Sequence, residues 1–72
     1  MKPKFNYDDI VCVQLSAAAE IRPGERAWIV GVFEERPAGE YFERFPPGVI
    51  YSIEFEDGSS TEAHEDNLQL EK

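Results

Sequence analysis

Apolar and polar positions alternate most regularly in the stretch VIYSIEFE. Val49, Tyr51, Ile53 and Phe55 fall on one face, and Ser52, Glu54 and Glu56 on the other. This is the period of two that a half-buried strand requires. Asp57-Gly58 then predicts a tight hairpin turn. SSTEAH returns as the partner strand, with Ser59, Ser60 and Thr61 beside the turn, where hydroxyls commonly bond backbone amides. HEDN suits a single helical turn, and LQL closes the pattern as a short last strand.

Upstream, IVCVQL (Ile10 to Leu15) is a short β-branched run that predicts a first strand. SAAAEI has alanine helix propensity, but RPGE follows at once, with Pro23-Gly24 as the central pair of a type II turn. The segment is therefore expected to be a loop. ERAWIVGVFEE (Glu25 to Glu35) places Ala27, Ile29, Gly31 and Phe33 on one face and Arg26, Trp28, Val30 and Val32 on the other. Both faces are largely apolar, as in a long central strand. Gly31 inside it allows a sharp bend or a close backbone approach, as at the corner of a small barrel. Residues 35–48, ERPAGEYFERFPPG, break every period and form a long connection around Tyr41, Phe42 and Phe45. Two readings stand side by side: a helical turn that plugs one end of the barrel, or a contact surface.

Five short strands, one tight hairpin, one long loop and a helical turn before the last strand predict an all-β, five-stranded SH3-like barrel. The order of DIVCV, PGERAWIVGV and YSIEFEDGSSTEAHEDNLQL resembles the SH3-like group that includes Tudor and chromo-barrel modules, over residues 8–70. Seventy-two residues are enough for one domain with one small core, so a single SH3-like domain over residues 1–72 is expected. That fold hosts many functions, so function has to be sought in the side chains.

Charge narrows the field. The chain has 72 residues, of which 42% are apolar and 31% charged, a balance that fits a small globular domain rather than a disordered tail or a membrane protein. Its net charge is −8. Residues 1–44 carry eight acidic side chains against six basic ones, whereas residues 45–72 carry seven against Lys72 alone. Such a field repels nucleic-acid phosphate and anionic lipid and attracts basic surfaces, so neither nucleic acid nor membrane is an expected partner. No apolar run nears the ~20 residues of a membrane helix, and MKPKFNYDD lacks the apolar core of a signal peptide, which predicts a cytoplasmic address.

Chemistry has few candidates. Cys12 is the single cysteine, so no disulfide forms within the chain, and its apolar neighbours predict packing as a small hydrophobe. Glu62, His64 and Asp66 at i, i+2 and i+4 would share one strand face and could reach a divalent metal, but HEDN reads as a turn that breaks the period after His64. No phosphate loop, GxSxG, HExxH or CxxC motif occurs. The carboxylates lie in alike, exposed settings, whereas acid–base catalysis needs unlike ones. Neither catalysis nor a metal or other cofactor is expected. The carboxylates have another use: Glu54, Glu56, Asp57 and Glu62 lie on or beside one hairpin and are expected to share its outward face. Acidic surfaces keep small proteins soluble. Alternatively, the repulsion is tolerated because a cationic partner relieves it on binding.

FNYDDIVCVQ, RPGERAWIVGV and YSIEFEDGSSTEAHEDNLQL also resemble small β-rich immunity proteins of bacterial polymorphic toxin systems, in particular the immunity protein 31 type. That resemblance implies a protein that binds and neutralises a cognate secreted toxin, with an acidic binder suiting a basic toxin such as a nuclease. It carries no binding residues that transfer. The candidates from charge and loop placement are Glu54, Glu56, Asp57 and Glu62, with Tyr41, Phe42 and Phe45. A Tudor-like module is the alternative, caging a methylated cation with rings drawn from Trp28, Phe33, Tyr51 and Phe55. Tyr51 and Phe55 fall on the core face, so the exposure of Trp28 discriminates. An accessory subunit docking through the aromatic loop is a third reading. The chain is expected to be a monomer, or a weak homodimer through an open barrel edge, of which Pro46 and Pro47 protect one stretch.

Overall fold

The computed structural model describes residues 2–71. Its elements are β1 (Ile10–Val13), a 3₁₀ turn (Ala19–Ile21), β2 (Arg26–Phe33), α1 (Glu40–Glu43), β3 (Ile50–Phe55), β4 (Ser60–His64), a second 3₁₀ turn (Glu65–Asn67) and β5 (Leu68–Leu70). The strands form one antiparallel sheet in the order β4-β3-β2-β1-β5, with the 3₁₀ turn before the last strand. This is the all-β, SH3-like arrangement that the pattern predicts.

The curl of the sheet centres on β2. Residues 26–28 pair with β1, and the strand then runs on alone against β3 as far as Phe33. Between the two halves the register slips, with Ile29 opposite Ile53 and Gly31 opposite Ser52, so Val30 is the extra residue of a bulge. A bulge bends a strand and shifts the faces of everything beyond it by one position. Val32 therefore packs against the core, while Phe33 turns outward and is 39% exposed. Strict alternation across Gly31, which put Phe33 with Ile29, fails for this reason. Gly31 itself behaves as expected: a Cβ built there would lie 2.9 Å from the Cβ of Ser52, a distance that only glycine tolerates.

Three boundaries also differ from the periodicity. The first strand ends at Val13, and Leu15 is 84% exposed. The chain leaves the sheet after the Gln14 N–H donates to the Asn67 carbonyl. The segment before Pro23 is a 3₁₀ turn rather than a loop, and it buries Ile21 in the core. The type II turn forms as predicted, with the Glu25 N–H donating to the Arg22 carbonyl at 3.2 Å and Gly24 at φ 84°. The β3–β4 hairpin is longer than a two-residue turn. The Gly58 N–H donates to the Phe55 carbonyl, so Glu56 and Asp57 are the central residues, and Gly58 at φ 87° forms the bulge that follows a type I turn.

The core is built from Val11, Val13, Ala27, Ile29, Val49, Tyr51, Ile53, Phe55, Ala63 and Leu68, including all four β3-face residues expected there. Phe5 joins them from a segment without secondary structure, its ring 5.3 Å from that of Tyr51. The Tyr51 hydroxyl accepts the N–H groups of Lys4 and Phe5 at 3.0 and 3.1 Å and donates to Glu65 Oε2 at 2.7 Å. One buried hydroxyl thus ties the N-terminal segment to the turn before β5. Burial above all, and then the bond to Glu65, pushes this phenol up to about 12. Cys12 does not pack in the core. It is half-buried on the opposite face, its thiol 3.5 Å from the Gly24 carbonyl. Among the described residues, no helix is long and apolar enough to cross a membrane.

Candidate partner-binding site

Directly opposed residues of an antiparallel sheet point to the same side, so the register maps the outer face row by row. One row reads Gln69, Cys12, Arg26; the next Ile10, Trp28, Glu54, Ser60; the third Gly31, Ser52, Glu62; the fourth Phe33, Ile50, His64. Helix α1 lies over the last two rows. Gly39 caps it at φ 122°, a conformation that needs glycine. Phe42 sits 6.1 Å from Phe33, and Tyr41, Phe42 and Phe45 meet pairwise at 4.9 to 5.9 Å. The loop is closed at its neck by Arg36, which donates to the Phe45 carbonyl at 2.7 Å. The aromatic loop is therefore a satellite cluster on the outside of the sheet, packed on Phe33 and apart from the core that Phe5 and Ile21 join. Phe42 and Phe45 are half-buried, and Tyr41 remains 44% exposed.

The four candidate carboxylates separate into different settings. Glu54 is exposed in the Trp28 row, with no hydrogen bond or ion pair among the described residues. Glu62 is half-buried and held from two sides: Tyr41 donates to Oε1 at 2.8 Å and Ser52 to Oε2 at 3.1 Å. The phenol of Tyr41 is raised by partial burial and then by this bond. Glu56 stands 3.7 Å from Arg26, which also pairs with Glu71 at 2.6 Å. Asp57 does not join the outward face. It turns to Arg22, whose guanidinium donates to both carboxylate oxygens at 3.3 and 2.9 Å, and Ser59 donates to it from both its hydroxyl and its N–H. The Arg22 bond first, and then those from Ser59, hold Asp57 well below the usual carboxylate range. Arg22 also pairs with Glu25 and lies 4.4 Å over the Phe55 ring, so this cluster ties the turn before β2 to the β3–β4 hairpin.

Glu62, His64 and Asp66 do not converge. The His64 ring is buried, its Nδ1 accepts the Asp66 N–H at 3.0 Å, and its Nε2 therefore carries the proton donated to the Pro47 carbonyl at 3.2 Å. No three His, Cys, Asp or Glu side chains among the described residues form a group that could hold a metal. The four rings considered for a cage are dispersed as well. Tyr51 and Phe55 are core, Phe33 packs on Phe42, and Trp28 is half-buried between Ile10 and Glu54.

A cleft of about 330 Å³ runs beside the unpaired edge of β4, between the first 3₁₀ turn and α1. It adds Glu20, Arg44 and Thr61 to the candidate residues. Arg44 was within reach of the sequence, since a helical turn at residue 41 places the residue three positions on against the Tyr41 ring. Glu20 and Thr61 were not, because only tertiary packing brings them to Tyr41.

No family model, curated protein or solved structure matches this chain.

Proposed function

We propose that this domain is a non-catalytic acidic binding module that occludes a basic protein partner, in the manner of an immunity protein against its cognate toxin. The observation that carries the reading is the composition of the outer face. Exposed Glu54 and anchored Glu62 flank the half-buried Trp28 and the partly exposed ring of Tyr41. Carboxylates steer a cationic surface into contact, and aromatic area supplies the short-range binding energy. The net charge of −8 extends the steering field beyond these residues. Non-catalysis agrees with the commitments of the polar groups: both nitrogens of His64 serve backbone atoms, and Glu62 serves Tyr41 and Ser52. A cytoplasmic location belongs to this reading, in keeping with a lone free thiol.

The test is recovery of a partner from the source cell with the tagged domain, followed by affinity measurements on the purified pair at low and high salt. A basic partner is expected whose affinity falls as salt rises and falls at least about 10-fold in the Glu54→Gln, Glu62→Gln double variant. That partner's own activity should be suppressed in the complex. Binding that ignores both salt and the two substitutions would overturn the reading.

A further inference from the structure

The cleft beside β4 has the chemistry of a receptor for one cationic side chain. Its volume of about 330 Å³ lies at the lower end of the ~300–1,000 Å³ typical of small-molecule sites, room for a single long side chain. Tyr41, Arg44 and Phe45 form one wall, Glu20 and Ile21 the other, and Thr61 and Glu62 line it from β4.

Glu62 is presented in one fixed orientation. Oε1 accepts from Tyr41 and Oε2 from Ser52, and each oxygen of an ionised carboxylate accepts at two positions. One acceptor position therefore remains on each oxygen. A guanidinium carries several N–H donors on one charged plane and can serve both oxygens, whereas an ammonium is a point charge without the fork.

Tyr41 adds an aromatic face to the same wall. The chain already sets a cation on it: the Arg44 guanidinium lies 5.4 Å from the centre of the Tyr41 ring, inside the ≈ 6 Å reach of a cation–π contact.

Taking the basic-partner reading as its premise, we infer that this cleft receives one arginine side chain of that partner. The incoming guanidinium pairs with Glu62 and stacks on Tyr41, and Arg44 occupies the ring until it is displaced. Arg44 is thus an internal competitor at the site.

The test uses N-acetyl-arginine methylamide, titrated into isotopically labelled protein and followed by amide chemical shifts. N-acetyl-citrulline methylamide, nearly isosteric and uncharged, is the comparison. Saturable shifts at Thr61, Glu62 and the α1 amides are expected with the arginine compound, with a dissociation constant on the order of 1 mM, and none with citrulline. Glu62→Gln is expected to weaken binding at least about 10-fold, and Arg44→Gln to tighten it about 2- to 5-fold by clearing the ring. Equal responses to the two compounds, shifts elsewhere only, or an unchanged constant in Glu62→Gln would each overturn the assignment. The two levels separate cleanly. Salt-sensitive partner binding that survives Glu62→Gln would remove the cleft but leave the acidic-face reading. A cleft that takes the arginine compound while no basic partner binds would do the reverse.

Discussion

Replacing Tyr51 by Phe removes one oxygen from a side chain that is completely buried and has three hydrogen-bond partners. Lys4 N–H keeps a second acceptor, Glu65 Oε2 at 2.9 Å. Phe5 N–H, in contrast, loses the acceptor that satisfies it in the interior, at about 1–3 kcal/mol for an orphaned buried donor. The bond to the Glu65 carboxylate contributes up to about 1.5–3 kcal/mol, discounted because Glu65 is only half-buried and regains water. The total is about 2–4 kcal/mol, against about 4–11 kcal/mol for the whole stability of a chain of this length. Urea unfolding followed by the fluorescence of Trp28, the single tryptophan, measures it. At roughly 1 kcal/mol per molar urea for a small domain, the midpoint should fall by at least about 2 M. Tyr7→Phe, at a residue 62% exposed, is the control and should change stability by less than about 0.5 kcal/mol.

The pH dependence supplies a second readout of the same bond. With the folded phenol at about 12 and the unfolded one at 10, the unfolded chain releases its proton first. Wild-type stability is fully present below pH 10 and is lost as pH rises toward 12, by about 1.4 kcal/mol per pH unit. The phenylalanine variant lacks this slope, so the difference between the two proteins should narrow over that window. A variant within about 0.5 kcal/mol of wild type, or a gap that stays constant from pH 10 to 12, would refute the anchoring role of Tyr51.

Gly31→Ala should destabilise by about 1–3 kcal/mol, because its methyl would meet the Ser52 Cβ at 2.9 Å. Adding Ser52→Gly should recover part of that loss relative to the two single variants, and additive urea midpoints would contradict the close approach. Asp57→Asn should flatten the acid limb of the stability curve. A carboxylate held below its unfolded value of 3.8 stabilises the fold above that pH, and the contribution is lost as pH falls. Parallel curves for variant and wild type between pH 5 and pH 2 would show that the Arg22 contact is not maintained in solution.

Much of the scaffold was legible because its causes are local. The period of two in β3, the φ of Gly24 after Pro23 and the helical turn of HEDN each depend on neighbours within a few residues. The same locality explains the errors. The bulge at Val30 follows from pairing with β3, which no window along β2 contains, and it exchanged the roles of Val32 and Phe33. Phe5 lies in a stretch without periodicity and joins the core through tertiary contacts, its ring packed on Tyr51 and its amide bonded to the Tyr51 hydroxyl. Charge placement picked out the acidic hairpin, yet could not divide it into an anchored Glu62, a structural Asp57 and a solvent-facing Glu54.

The sequence by itself therefore determined the strands, the turns and the sign of the surface, since alternation, turn residues and net charge are properties of short segments and of composition. Tertiary structure alone decided which carboxylates are committed to arginines, which aromatic rings face water, and that Glu20, Tyr41 and Glu62 line one cleft. The deciding contacts, Arg22 with Asp57, Arg26 with Glu71 and Tyr41 with Glu62, join residues some twenty or more positions apart and form only when the sheet is assembled and α1 folds back across its outer face.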